Sequence, residues 1–300
     1  MRLVTFERRG QVRIGAQVPP ELVPEGLGSF VLDLVEADAR LPGEMAQLLG
    51  AGERALDLAR AAVAAASPAA LLPAAYCRLL APLPRPGKII CIGYNYLGHG
   101  AAGSAGLPEF PDVFAKTINT IVGPGDDIVL PRVSHEVDYE AELAVVIGRR
   151  AHDVTEDAAL DHVAGYTMFN DVSARDYQGR GSQWLLGKSF DTFGPLGPTI
   201  VTTDEVPDPQ RLDVELTVNG VTTQRANTRD MIFTIRYLIS YLSQVMTLNP
   251  GDIIATGTPA KLPEAAHDAQ FLAPGDVLAI TIGDLGTLRN RVADRVVGSR

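Results

Sequence analysis

Glu140 and Glu142 stand two residues apart at the head of an apolar run, HEVDYEAELAVVIG, which reads as a strand. The period of two along a strand points both side chains to one face. Two carboxylates that close repel each other unless a cation or a shared proton joins them. A solvated strand edge carrying two exposed acids is the alternative reading of the pair alone. A third acid, Asp171, follows the strand-like GYTMFN and opens a polar run of Asn170, Asp171, Ser173, Arg175 and Asp176. Three carboxylates with no Cys or His beside them suit Mg²⁺ or Mn²⁺, with coordination positions left for water or substrate and hence for Lewis-acid chemistry. Spacing alone does not bring Asp171 to the glutamates.

Other residues qualify as candidates more weakly. His99 follows a buried-strand pattern within a Gly-rich loop, where backbone approaches a ligand closely, and is a candidate base. His135, His152, His162 and His267 lie in polar surroundings or on a short helix and are expected at the surface. Lys188, between Gly187 and Ser189, and Lys116 could each screen a substrate carboxylate or simply reach solvent. Residues 98–103, GHGAAG, match a dinucleotide-binding pattern, but Pro108 and Pro111 follow where a helix should start, and no acid lies at the ribose position. A nicotinamide site is therefore not expected.

The elements that must position these residues are mostly strands. Short strands are expected at Leu3 to Phe6, Gln11 to Ala16 and Phe30 to Val35, with a helix over Gly52 to Ala66. Residues 67–88 hold Pro68, Pro73, Pro82, Pro84 and Pro86 and read as an extended connector. Residues 1–80 are thus expected to form a small N-terminal domain and residues 81–300 a larger one. In the larger part, KIICIGYNY reads as a buried strand, and LDVELTV and VTTQ flank Asn219-Gly220 as a hairpin. Thr155 is placed to cap a helix running to about Ala164, and Thr228 to cap a longer one carrying Met231, Ile235, Leu238, Ile239 and Leu242. The fold class is α+β, with a mixed or antiparallel sheet.

The 300 residues carry 26 Lys+Arg against 36 Asp+Glu, a net charge of −10, and are 46% hydrophobic. Without a Lys/Arg cluster there is no electrostatic footprint for nucleic acid. No apolar run approaches the roughly 20 residues of a membrane helix. Cys77 and Cys91 suggest neither a disulfide framework nor zinc, and the opening residues lack a signal-peptide stretch, so a reduced, cytoplasmic chain acting on a small molecule is expected.

From about Lys88 to Val292 the chain resembles the fumarylacetoacetate hydrolase family, through GYNYLGH, VGPGDDIVLP, DYEAELAVVIG, AGYTMFNDVSARD, GKSFDTFGPLGP, MTLNPGDIIATGTPA and GTLRNRV in order. The resemblance implies a mixed β-sheet roll or sandwich behind a small N-terminal α+β domain, and a homodimer. It implies that Glu140, Glu142 and Asp171 bind Mg²⁺ or Mn²⁺. It also implies that Lys188 and the Thr256-Gly257-Thr258 loop help hold a 2-oxo acid, with Arg175 and Gln178 near it. The family's hydrolases, decarboxylases and isomerases share an enolate stabilised by the metal. Acylpyruvate-type C–C hydrolysis is the leading expectation, with His99 as base and Lys188 neutralising the substrate.

The sequence departs from the hydrolytic pattern at one point. Asn95, Tyr96 and His99 match, but Gly98 stands where Asp is common, and Ala102 where a glutamate should orient the histidine. Lys261 and Leu262 also replace a Gly-rich continuation after TGTPA. Three readings follow: Glu109 swings in as the missing acid; the enzyme decarboxylates or isomerises a 2-oxo dicarboxylic acid without an activated water; or the chain only binds metal and ligand.

Overall fold

The computed structural model describes residues 1–23, 29–99, 107–263, 265 and 271–295. Ala102 and His267 lie outside the described residues. Among the described residues the strands form a large mixed sheet, a five-stranded sheet and a two-stranded pair, giving the expected α+β class. No helix among them is long and apolar enough to cross a membrane.

The strand Ala141–Ile147 lies in the middle of the large sheet, antiparallel to both Val163–Asn170 and Ile253–Ala255. Every residue of Ala141–Ile147 is buried, because both faces of the sheet are covered. Leu143, Val145 and Ile147 enter one core with Leu238, Ile239 and Leu242 of the helix Ile235–Val245. Ala144 and Val146 enter the other, with Leu48, Leu56 and Val63 of the N-terminal helices. Beyond Ile253–Ala255 runs Ile89–Gly93, parallel to it.

The N-terminal strands continue the same sheet. Arg2–Arg8 pairs with Gln11–Gln17 and also with Gly194–Thr202, Arg2 facing Val201. Residues 1–80 and the remainder therefore share one sheet and one core. Asp33 ends the third strand, its side chain capping the short helix Leu34–Ala37, so the strand stops two residues before the expected Val35. The proline-rich connector contains two short strands, Leu71–Pro73 and Arg78–Leu80.

Two helix expectations are corrected. Residues 155–164 form turns and the single 3₁₀ turn Ala159–His162, followed by a strand from Val163. The His162 carbonyl accepts from the Gly148 and Arg149 N–H groups, which ties this segment to the end of the central strand and draws it into the sheet. His162 is consequently buried rather than at the surface, with Nδ1 3.0 Å from the Arg150 carbonyl. The longer helix starts at Ile235, capped by Thr234, not at Thr228. Asn227 instead caps a 3₁₀ turn, and Met231 and Ile232 run extended against Tyr96 and Asn95. The Asn219-Gly220 hairpin joins Asp213–Val218 to Val221–Asn227 as expected, with both turn residues at positive φ.

Candidate metal centre and substrate cavity

Strand pairing solves the problem that spacing left open. Ala141 faces Asn170 across the ladder, the Asp171 N–H donates to the Glu140 carbonyl at 2.9 Å, and the Asn170 side chain accepts from the Glu140 N–H at 3.0 Å. The third acid is thereby fixed beside the first. Oxygen atoms of Glu140, Glu142 and Asp171 lie within 4.8 Å of one another, and the three residues are 6%, 1% and 0% exposed. The solvated-edge reading is excluded by that burial.

Two lysines enter the same cluster. Lys188 Nζ donates to Glu140 Oε2 and to Asp171 Oδ2, each at 2.7 Å. Lys116 Nζ donates to the other Asp171 oxygen at 2.5 Å and to the Val172 carbonyl at 2.9 Å. Lys188 ends the short helix Leu185–Lys188, packed against the short helix Arg175–Gln178. Gly187 makes that contact possible, since a Cβ there would stand 2.5 Å from the Gln178 backbone nitrogen. Arg175 donates to Asp138 and to Gln178, and its guanidinium lies 2.6 Å from Glu140 Oε1.

Glu142 differs from its neighbours. Among the described residues its carboxylate accepts one hydrogen bond, from the Gly257 N–H at 2.9 Å, and has no ion-pair partner. Gly257 reaches it at φ +98°, where an added Cβ would meet Asn95 at 2.8 Å. Burial, then the Asp171 and Glu140 charges, push the Glu142 carboxyl well above its usual range. Burial would raise Glu140 as well, but the Lys188 and Arg175 charges outweigh it and hold that carboxyl below the usual range. The Lys188 ammonium loses by burial and gains more from Asp171 and Glu140, so it stays charged. A buried carboxylate without a cation, flanked by two ionised ones, is the arrangement a hard divalent ion with oxygen ligands would relieve.

A cavity of about 300 Å³ opens onto this cluster, lined by Glu140, Glu142, Arg175, Gln178, Lys188, Thr258 and His99 and walled by Ile92, Tyr94, Phe114 and Trp184. Of the TGT loop only Thr258 lines it. Gly257 serves Glu142, and Thr256 turns inward, its hydroxyl on the Leu143 carbonyl at 2.8 Å. The loop carrying His99 is stapled by buried Asn95, which accepts from the Phe233 N–H and donates to the Phe233 and Thr256 carbonyls. Burial first of all lowers the His99 pKa, the Glu140 charge opposing. Among the described residues no side chain hydrogen-bonds its imidazole. Glu109 is exposed.

Asp138, Phe114 and Trp184 were not singled out from the sequence, and Lys261 stood out only as a departure after TGTPA. Asp138 carried a usable signal, because it lies two residues before Glu140 in the same period. Its Oδ2 accepts from Arg175 at 3.0 Å and its Oδ1 pairs with Lys261 at 2.6 Å. The aromatic walls carried none: Phe114 lies on the short strand Asp112–Ala115 at the sheet edge and Trp184 at the start of the helix Leu185–Lys188, and neither position marks a cavity wall.

The chain matches the family described as "Fumarylacetoacetate (FAA) hydrolase C-terminal" over residues 88–293. It is 45% identical over 295 residues to "Oxaloacetate tautomerase FAHD2A, mitochondrial" of Homo sapiens, covering 97% of this chain and 91% of that protein. To "Oxaloacetate tautomerase Fahd2a, mitochondrial" of Rattus norvegicus it is 44% identical over 293 residues, with the same coverage. Among solved structures, maleylpyruvate hydrolase from Sphingobium sp. SYK-6 in complex with manganese(II) and pyruvate superposes with a TM-score of 0.76 at 35% identity, covering 98% of this chain and 99% of that one.

Proposed function

The chain belongs to the fumarylacetoacetate hydrolase family, and from that membership we propose that it is a divalent-cation-dependent keto–enol tautomerase of an oxaloacetate-type 2-oxo dicarboxylic acid. The observation that carries this reading is His99. It sits in the cavity wall with no carboxylate bonded to it among the described residues, and position 102 is alanine. Hydrolysis of a C–C bond requires a water to be deprotonated, and a lone imidazole with a lowered pKa is a weak base for that step. Moving a proton between the enol oxygen and C3 requires no water. A neutral imidazole can accept a proton and return it, so His99, with no side-chain partner among the described residues, suits tautomerisation better than the hydrolysis expected first from the sequence.

Glu140, Glu142 and Asp171 would hold Mg²⁺ or Mn²⁺, which supplies Lewis acidity toward the 2-oxo and carboxylate oxygens of the substrate. Lys188 offers a fixed positive charge at the cavity wall for the oxygen on which charge develops. Arg175, Gln178 and Thr258 orient the remaining oxygens. Trp184, Phe114 and Tyr94 exclude water, which strengthens these interactions. The 44–45% identity to oxaloacetate tautomerases over nearly the whole chain supports the same reading.

The test compares two reactions in Mg²⁺ or Mn²⁺: loss of the oxaloacetate enol, followed by its absorbance, and pyruvate release from acetylpyruvate. The first should be accelerated and the second not. His99→Gln should slow the first by about 100-fold or more. Pyruvate release without accelerated enol loss would return the hydrolase reading.

A further inference from the structure

Lys261 stands where the TGTPA motif departs from its Gly-rich continuation, and the fold gives it a specific partner. Its Nζ lies 2.6 Å from Asp138 Oδ1 and 4.5 Å from the centre of the Tyr139 ring. The other Asp138 oxygen accepts from Arg175 Nε and Nη2, at 3.1 and 3.0 Å. Arg175 then continues to Glu140 and to Gln178, both at the cavity. Lys261 itself does not line the cavity. Its backbone is fixed by a bridge to Gln224, whose amide holds Thr258 and the Pro259 carbonyl, and the Leu262 N–H donates to Thr223.

The charges of this network can be counted. With Glu142 ionised on a bound cation, Asp138, Glu140, Glu142 and Asp171 face Lys116, Arg175, Lys188 and Lys261 among the described residues, so the four acids are balanced by four bases before the cation's own charge is added. A bound divalent ion would leave two positive charges, the complement of a dianion. Without Lys261 only one would remain, the complement of a monoanion, and Asp138 would spend its whole charge on Arg175. Electrostatic complementarity of this kind selects among ligands more than it raises affinity in general.

We propose that Lys261 is a specificity-determining residue that acts through Asp138: by neutralising that carboxylate it relieves Arg175 of one of its two acid partners, Asp138 and Glu140, raises the positive charge offered to a second substrate carboxylate, and so selects 2-oxo dicarboxylates over 2-oxo monocarboxylates. The inference rests on the tautomerase reading, which it deepens. Lys261 is a positioning residue, since it reaches the substrate only through Asp138 and Arg175.

Two ligands of equal chain length, 2-oxoglutarate and 2-oxopentanoate, differ in the distal carboxylate and probe the effect by calorimetry on the Mg²⁺-loaded protein. In wild type the dicarboxylate should bind more tightly. Lys261→Met should weaken 2-oxoglutarate by about tenfold, with less than a twofold change for 2-oxopentanoate, and the loss should shrink at high ionic strength as charges are screened. Lys261→Arg should restore the preference. For turnover of the oxaloacetate enol, Lys261→Met should raise KM and leave kcat nearly unchanged. Equal weakening of both ligands, no change in either, or failure of the arginine to restore selectivity would overturn the proposal. Failure of wild type to accelerate oxaloacetate enol loss would instead sink the tautomerase reading, whatever the ratio of the two ligands.

Discussion

Glu142 is the residue at which stability and function oppose each other. A carboxylate that is 1% exposed, lacks a cation among the described residues and is pressed by two negative neighbours raises the energy of the ion-free protein. Glu142→Gln should therefore abolish Mg²⁺ or Mn²⁺ binding measured by calorimetry, yet leave the thermal midpoint of the ion-free protein unchanged or higher. A large fall in that midpoint would show that the carboxylate is stabilising as it stands. His99 makes a second prediction. Burial lowers its pKa below the ordinary imidazole range near 6.5, so the neutral form persists to more acid pH. The sign follows for activity: kcat/KM should stay level as pH falls through 6.5 and decline only below it. A decline already complete at neutral pH would remove His99 as the proton carrier. The folded-state depression also means that the unfolded chain takes up this proton first, so this histidine's contribution to stability is lost as pH falls. The two glutamates were legible from their spacing, and Asp138 could have been found the same way. That position 102 is alanine was legible in the sequence, and the fold adds that Glu109 is exposed and that no side chain among the described residues hydrogen-bonds the His99 imidazole.

At the scale of elements, the site depends on two short helices and one strand pair. Gly187 lets Leu185–Lys188 approach Arg175–Gln178 so closely that any side chain would overlap backbone. Gly187→Ala should lower stability by about 1–3 kcal/mol, as overpacking does. It should also reduce kcat by displacing Lys188 from Glu140 and Asp171. A denaturant midpoint and a kcat both equal to wild type would contradict that account. A continuous apolar run revealed the central strand, and alternation around Asn219-Gly220 the hairpin, because both patterns are local properties. Which strands become neighbours is set by long-range pairing, so the approach of Asp171 to Glu140 could not be read from spacing and came only with the family resemblance. Helix starts were misplaced for a related reason. The apolar periodicity beyond Thr228 is real, but Met231 and Ile232 bond to the loop of Asn95 and Tyr96, and that non-local competition delays the first helical turn to Ile235.

The whole molecule should report the ion through its stability. An ion that binds the folded chain and not the unfolded one adds about 2.7 kcal/mol at a hundred times its dissociation constant. Adding Mg²⁺ or Mn²⁺ to chelator-treated protein should raise the unfolding midpoint in a concentration-dependent way. The Glu142→Gln protein should show no such rise; equal rises in both would place the binding elsewhere. The composition, with its ten excess negative charges, indicated solubility and left room for a cation, but the sharing of one core between residues 1–80 and the rest was not visible in it.

That shared sheet has one more consequence. The Gly194–Thr202 strand uses Arg2–Arg8 as its neighbour on one side and Val163–Asn170, next to the acid centre, on the other. Removing residues 1–80 would bare the Ile200 and Val201 end of that edge, since Ile121–Val122 still pairs with Gly194 and Pro195, and would leave its apolar face uncovered; exposed edges of this kind recruit other chains. The truncated protein is expected to aggregate rather than to fold as a trimmed enzyme. A soluble, monodisperse 81–300 fragment on size-exclusion chromatography would show that the N-terminal strands are dispensable.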